Sequence, residues 1–156
     1  MRLRRGCRGW WIALLAALAD RLTKLWVIRA GRPGALVPGL LNLRPVENRG
    51  MAFSMLSGQS LALTLVTAAL VAGLVGWLVA RPKTSGITRA GLWLIVGGGF
   101  GNLYDRIATG GVTDFIEFAF VRFAVFNVAD VCICAGAALV IVGAWVEEKR
   151  KRDAVD

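Results

Sequence analysis

No histidine occurs among the 156 residues. That absence removes every Ser-His, Cys-His and His-metal mechanism at once. Cysteine is scarce: Cys7, Cys132 and Cys134 are too few and too badly placed for a zinc site or a disulfide framework. Cys132 and Cys134 point to different faces of any helix. Charge is also thin, at 19% of residues against 56% apolar, where a soluble domain carries about a quarter and about half. The apolar residues gather into blocks of spanning length instead of recurring at amphipathic spacing. The composition describes a small integral membrane protein whose chemistry must use carboxylates, amides, lysine, arginine or hydroxyls.

A helix needs ~20 mostly apolar residues to cross a bilayer. Four blocks meet that need or approach it: about 10–28, 60–80, 90–104 and 126–146. The third is short unless Gly97-Gly98-Gly99-Phe100-Gly101 stays helical. Four spans fill most of the chain as one membrane domain over 1–156, with outer segments at 30–58 and 105–125. The first block follows four arginines like a secretory signal. Asp20, Arg21 and Lys24 interrupt it, however, and no small-residue cleavage pattern follows, so it reads as a retained span.

Basic residues near the span ends set orientation. With the N-terminus in the cytoplasm, eleven fall inside (Arg2, Arg4, Arg5, Arg8, Arg81, Lys83, Arg89, Lys149, Arg150, Lys151, Arg152) and six outside (Arg29, Arg32, Arg44, Arg49, Arg106, Arg122). Both termini are therefore expected in the cytoplasm. The net charge of +9 is mainly a topology signal, since nucleic-acid binding would want an exposed basic domain. In the first outer segment, Leu41-Asn42-Leu43-Arg44 between Pro38 and Pro45 predicts short strands and turns. In the second, aromatics at 115, 118, 120, 123 and 126 predict a segment in the headgroup zone.

Ionisable side chains within spans are costly and by default mark function. Given the orientation, Asp20 and Lys24 fall in the outer half of the first span, and Asn102, Asp105 and Arg106 at the outer end of the third. Asn127 and Asp130 occupy the first turns of the fourth, and Asn48 and Asp114 the outer segments. All share one depth; the inner halves carry nothing comparable. Independent structural accidents would not converge on one level.

Each position also has a bland reading. Asp20 and Lys24, at i and i+4, are favoured as a structural ion pair. Asp105 with Arg106 caps and anchors a helix end. Asn48, in Glu-Asn-Arg-Gly, is an ordinary turn residue on local evidence. Asp114 is equally a solvated loop charge. Gly97 and Gly101 at four-residue spacing mean close helix packing. Asp130 is hardest to dismiss, being an acid inside a span with no basic residue in helical reach.

Asp114 and Asp130 are the two outer acids without a local basic partner. Brought together, they would hold one proton between them, because repulsion and desolvation raise one pKa. One carboxylate could then take a proton from water while the other donates to a carbonyl or a leaving amine. That arrangement needs neither metal nor cofactor.

The blocks Asp20-Arg-Leu-Thr-Lys24, Asn48-Arg-Gly-Met-Ala-Phe53, Gly101-Asn-Leu-Tyr-Asp-Arg106, Gly111-Val-Thr-Asp-Phe115 and Phe126-Asn-Val-Ala-Asp130 resemble the successive signatures of the lipoprotein signal peptidase (signal peptidase II) family. The resemblance covers nearly everything between the two tails. It implies an aspartic endopeptidase of the bacterial inner membrane that removes signal peptides from diacylglyceryl-modified prolipoproteins, cutting on the amino side of the lipidated cysteine near the periplasmic face. By the same resemblance, Asp114 and Asp130 are catalytic, and Asp20, Lys24, Asn48, Asn102, Arg106 and Asn127 support them. The implied fold is all-α: four transmembrane helices with a small extracytoplasmic β-like cradle and a short periplasmic interfacial helix. The implied enzyme is a monomer in membrane lipid, with no cofactor and no nucleic-acid partner. One departure is Val131, where many members carry a small or hydroxyl residue.

Three rival readings stand beside this one. A Ser-Lys peptidase would pair Ser54 or Ser57 with Lys24. A metal hydrolase would use three aspartates without nitrogen ligands. A small transporter or proton-conducting bundle would use Asp20, Asp105 and Asp130 as relay groups, and such a relay should extend through the membrane.

Overall fold

A computed structural model describes residues 7–31, 33–50 and 60–154. Four long helices occupy the four apolar blocks: α1 (Trp10–Ala30), α2 (Ser60–Ala80), α3 (Gly86–Thr109) and α4 (Val128–Arg152). Between them lie three strands, β1 (Gly34–Val37), β2 (Leu41–Asn48) and β3 (Val112–Phe118), in one antiparallel sheet of order β1-β2-β3. The architecture is mostly helical with a small sheet. α2 and α4 are long and apolar enough to cross a membrane by length and composition.

α3 touches each of the other three helices, and its glycines are what permit this. A Cβ on Gly97 would lie 2.5 Å from the Ala13 carbonyl oxygen of α1, and one on Gly98 would strike the Ala129 carbonyl oxygen of α4. Small residues let helix backbones approach where no hydrophobic force drives association in lipid. The glycine-rich stretch therefore stays helical, and α3 runs to Thr109, five residues beyond the expected end at 104. Residues 105–109, expected in the second outer segment, are its last turn.

Burial is inverted relative to a soluble bundle. An apolar cluster of Leu78, Leu92, Trp93 and Val96 sits where α2 and α3 meet. Yet Leu61, Ile141 and Trp145 are about two-thirds exposed or more, while Lys24 and Asn127 are fully enclosed. Apolar side chains facing outward around a polar interior suit a solvent of lipid tails.

The first outer segment forms the expected strands. Gly39, at φ 74°, turns β1 into β2. The β2 strand does not stop at Pro45: it continues to Asn48, with the register against β3 shifting between Leu43 and Val46. Proline cannot donate a ladder hydrogen bond and is tolerated at such an irregularity. In the second outer segment, no short helix forms between Gly110 and Phe126. There β3 is followed by a loop that returns to pair Phe126 with Ile116, its rings packed together (Phe118 to Phe126, 5.2 Å between centroids). Among the described residues the interfacial helix is absent; residues 51–59 lie outside them, as do Arg2, Arg4, Arg5 and Arg32.

Candidate active site

The fully buried Lys24 ammonium of α1 donates to three acceptors: Asp20 Oδ2 at 2.8 Å, Asp105 Oδ2 at 2.8 Å and Asn102 Oδ1 at 3.1 Å. The Asp20–Lys24 pair is thus present as expected at i, i+4, and it also joins elements. Asp20 Oδ1 accepts from the Ala129 amide at 2.9 Å, fastening α1 to the first turn of α4. Asp105 does not simply cap its helix with Arg106: its Oδ2 also accepts from the Thr113 amide at 3.2 Å and so anchors the start of β3. Gly101 makes room for this assembly, since a Cβ there would lie 2.6 Å from Asp20 Oδ2.

Asn102 carries the network onward. Its Oδ1 accepts from Asn127 Nδ2 at 3.0 Å, and its Nδ2 donates to Asp130 Oδ1 at 2.8 Å. Asn127 is not inside α4 but caps it. Its Oδ1 accepts from the Asp130 amide at 2.9 Å while Asp130 Oδ2 accepts from the Asn127 amide at 3.1 Å. This reciprocal pair is a capping box, legible in Asn-Val-Ala-Asp but not read from it. It holds the Asp130 carboxylate at the helix N-terminus, where negative charge is favoured.

Asn127 also donates to Asp114 Oδ1 at 2.7 Å, and Asn48 Nδ2 donates to Asp114 Oδ2 at 2.9 Å. Asn48 bonds in two directions. Its side-chain carbonyl accepts from the Gly50 amide at 3.0 Å to make a turn, while its amide reaches the carboxylate. Each oxygen of both aspartates therefore accepts from an amide, and Asn127 touches both residues. Asp114 is buried, and that burial lifts its pKa from 3.8 to about 6. The hydrogen bond from Asn48 opposes the lift, the nearby Asp130 charge adds to it, and the hydrogen bond from Asn127 opposes it.

Asp114 and Asp130 line one cavity of about 570 Å³, with Asn48, Asn102 and Arg106 at its polar end. Phe118, Phe123, Phe126, Val131 and Ala135 line the remainder. Arg106 donates to the Asn102 carbonyl of its own helix at 3.4 Å, and its guanidinium lies in the field of Asp114 and Asp130. Val131 is half exposed and borders the cavity, so its bulk bears on the void and not on helix packing. The phenylalanine wall and the tie from Lys24 to Asp105 are not legible in residue order. The aromatic run by itself predicts depth, and the return loop after β3 turns Phe118, Phe123 and Phe126 toward the carboxylates.

The polar residues singled out above thus come together at the end of the bundle that carries the sheet. No three His, Cys, Asp or Glu among the described residues group as metal ligands. The model of the family described as signal peptidase (SPase) II matches residues 12–146. A lipoprotein signal peptidase of Gloeobacter violaceus is 40% identical over 90% of the chain and 83% of the relative. Its counterpart in Thermosynechococcus vestitus is 34% identical over 87% and 90%. A solved structure described as a bacterial membrane enzyme, determined in meso at 2.3 Å, superposes with TM-score 0.82 at 27% identity, covering 90% of this chain and 89% of that one.

Proposed function

The chain belongs to the signal peptidase II family, and we propose that it removes signal peptides from diacylglyceryl-modified prolipoproteins through Asp114 and Asp130. The observation that carries this reading is that both carboxyl groups face one cavity, polar at the carboxylates and apolar beyond them. With one proton on the pair, the ionised aspartate takes a proton from water as the oxygen attacks the scissile carbonyl carbon. The protonated aspartate donates to the carbonyl oxygen, giving a neutral tetrahedral diol. Collapse then returns a proton to the departing amine and breaks the C–N bond. Asn48, Asn102 and Asn127 hold the carboxylates in place through the hydrogen bonds described, and the Arg106 guanidinium offsets their charge.

The four helices are read as membrane spans in the bacterial inner membrane, with both termini cytoplasmic and the sheet and cavity at the periplasmic face. A signal peptide, itself an apolar helix, enters sideways from lipid, and the lipidated cysteine lies at the level of the aspartates. The phenylalanine-lined end of the cavity suits apolar parts of that substrate. The enzyme is read as a monomer.

Two rivals lose support on geometry. Lys24 is enclosed and donates to three acceptors, which leaves it unsuited as the base of a Ser-Lys pair; Ser54 and Ser57 lie outside the described residues. Asp20, Asp105 and Asp130 all belong to one end of the bundle, and among the described residues no acid continues the line along it as a relay would need. The deciding experiment incubates the purified protein with a diacylated prolipoprotein and an unlipidated control. Cleavage of the lipidated form alone is expected, and equal cleavage of both would overturn the specificity. Asp114→Asn and Asp130→Asn should each lower turnover by at least about 10²-fold with circular dichroism unchanged; retained turnover in either refutes the dyad.

A further inference from the structure

Val131 follows Asp130 directly in α4, and the cap that holds the acid also holds this residue: its amide donates to the Asn127 carbonyl at 3.3 Å. α4 lends Asp130, Val131, Cys134 and Ala135 to the wall of the 570 Å³ cavity. At i, i+1, i+4 and i+5 they share one face of the first turns of the helix. Val131 is 48% exposed, and its methyls meet the void instead of a neighbouring helix. A valine in a helix keeps essentially one side-chain rotamer, so those methyls cannot swing aside. Cys134 and Ala135 are smaller and lie one turn further on, about 6 Å from Asp130 along the axis. The wall is therefore bulky and stiff beside the carboxylates and recedes beyond them.

The two apolar walls of the cavity lead in different directions. Phe118, Phe123 and Phe126 belong to β3 and its return loop, at the end that carries the sheet. α4 runs away from that end, and its Gly143 packs on Thr88 at the start of α3. A signal peptide lying along the bundle thus follows the α4 wall, while the lipidated cysteine is left to the phenylalanine wall. The carbonyl attacked between Asp114 and Asp130 belongs to the last residue of the signal peptide. Its side chain projects from the neighbouring carbon, and the apolar group next to Asp130 on that side is Val131.

We propose that Val131 is a specificity-determining residue, whose fixed methyls gauge the side chain immediately before the cut and rank glycine above alanine and alanine above valine. Residues further upstream meet Cys134 and Ala135, where the wall leaves more room. The inference rests on the peptidase reading and adds to it the group that sets this ranking.

Three diacylated prolipoproteins differing only in that residue (glycine, alanine or valine) test it with the purified full chain in detergent. For the wild type, kcat/KM should fall about tenfold or more from glycine to valine, as a few methyl groups in a tight apolar site can cause. Val131→Ala should raise the valine-to-glycine ratio of kcat/KM about tenfold. Val131→Thr keeps the branched shape and should keep the wild-type ratio, which separates bulk from polarity. Val131→Leu adds bulk and should lower the ratio, and it carries the test where Val131→Ala loses its fold by Tm. Cys134→Ala, one turn on, should leave the ratio where it was. Equal cleavage of all three substrates by the wild type, an unmoved ratio in Val131→Ala and Val131→Leu, or an equal rise in Cys134→Ala overturns the proposal and leaves the peptidase reading standing. No cleavage of any substrate by the wild type would bring down the peptidase reading, and the proposal with it.

Discussion

Lys24 sits among two aspartates and an asparagine with no exposure to solvent, and that arrangement sets the cost of disturbing it. Lys24→Met would leave Asp20 buried without its cation and Asp105 with only the half-exposed Arg21, 3.5 Å away, and losing one partner of a buried pair costs about 3–5 kcal/mol. Thermal unfolding in detergent should register it as a large fall in Tm. Asp114 offers a titration instead. Between pH 3.8 and about 6 the folded protein keeps a proton that the unfolded chain has released. Its stabilising contribution is complete below pH 3.8 and is lost as pH rises through about 6. For a one-proton dyad, kcat/KM should fall over the same rise. Asn48→Ala removes an amide that favours the charged carboxylate, so the alkaline limb of kcat/KM should move to higher pH; movement to lower pH would contradict the assigned role. That these residues gather at one end of the bundle was readable from residue order alone. Their partners were not: Asp105 looked like a helix cap because its lysine lies 81 positions earlier in the chain.

At the level of elements, the position of Asp130 depends on how closely α4 meets α3. Gly98 has no room for a Cβ against the Ala129 carbonyl, and Gly101 has none against Asp20. Gly98→Val should push the first turn of α4 outward, cost about 1–3 kcal/mol by overpacking, and lower turnover through displacement of Asp130. Both a Tm and a cleavage rate are read in that experiment, and an unchanged rate would detach the helix contact from the chemistry. Asn127 acts at this scale too. Its cap is worth about 1 kcal/mol, and it also donates to Asp114 across the gap between β3 and α4. The glycine spacing foretold close packing, but which neighbour each glycine meets is a property of the assembled bundle.

For the molecule as a whole, membrane-impermeant maleimide applied to spheroplasts measures the proposed topology. A cysteine placed at Gly39, in the hairpin turn, should label from outside, and Cys7 should label only after permeabilisation. The reverse pattern would place the cavity on the wrong side. Hydropathy and the order of polar blocks along the chain are local properties, so they announce by themselves a mostly helical membrane protein with its polar residues at one end. The β2 strand running past Pro45, the loop that swings Phe118, Phe123 and Phe126 onto the carboxylates, and the asparagine links from Lys24 to Asp130 and on to Asp114 belong to the packed molecule. Each joins residues far apart in the chain, and their distances come into being only when the glycine faces of α3 draw α1 and α4 together.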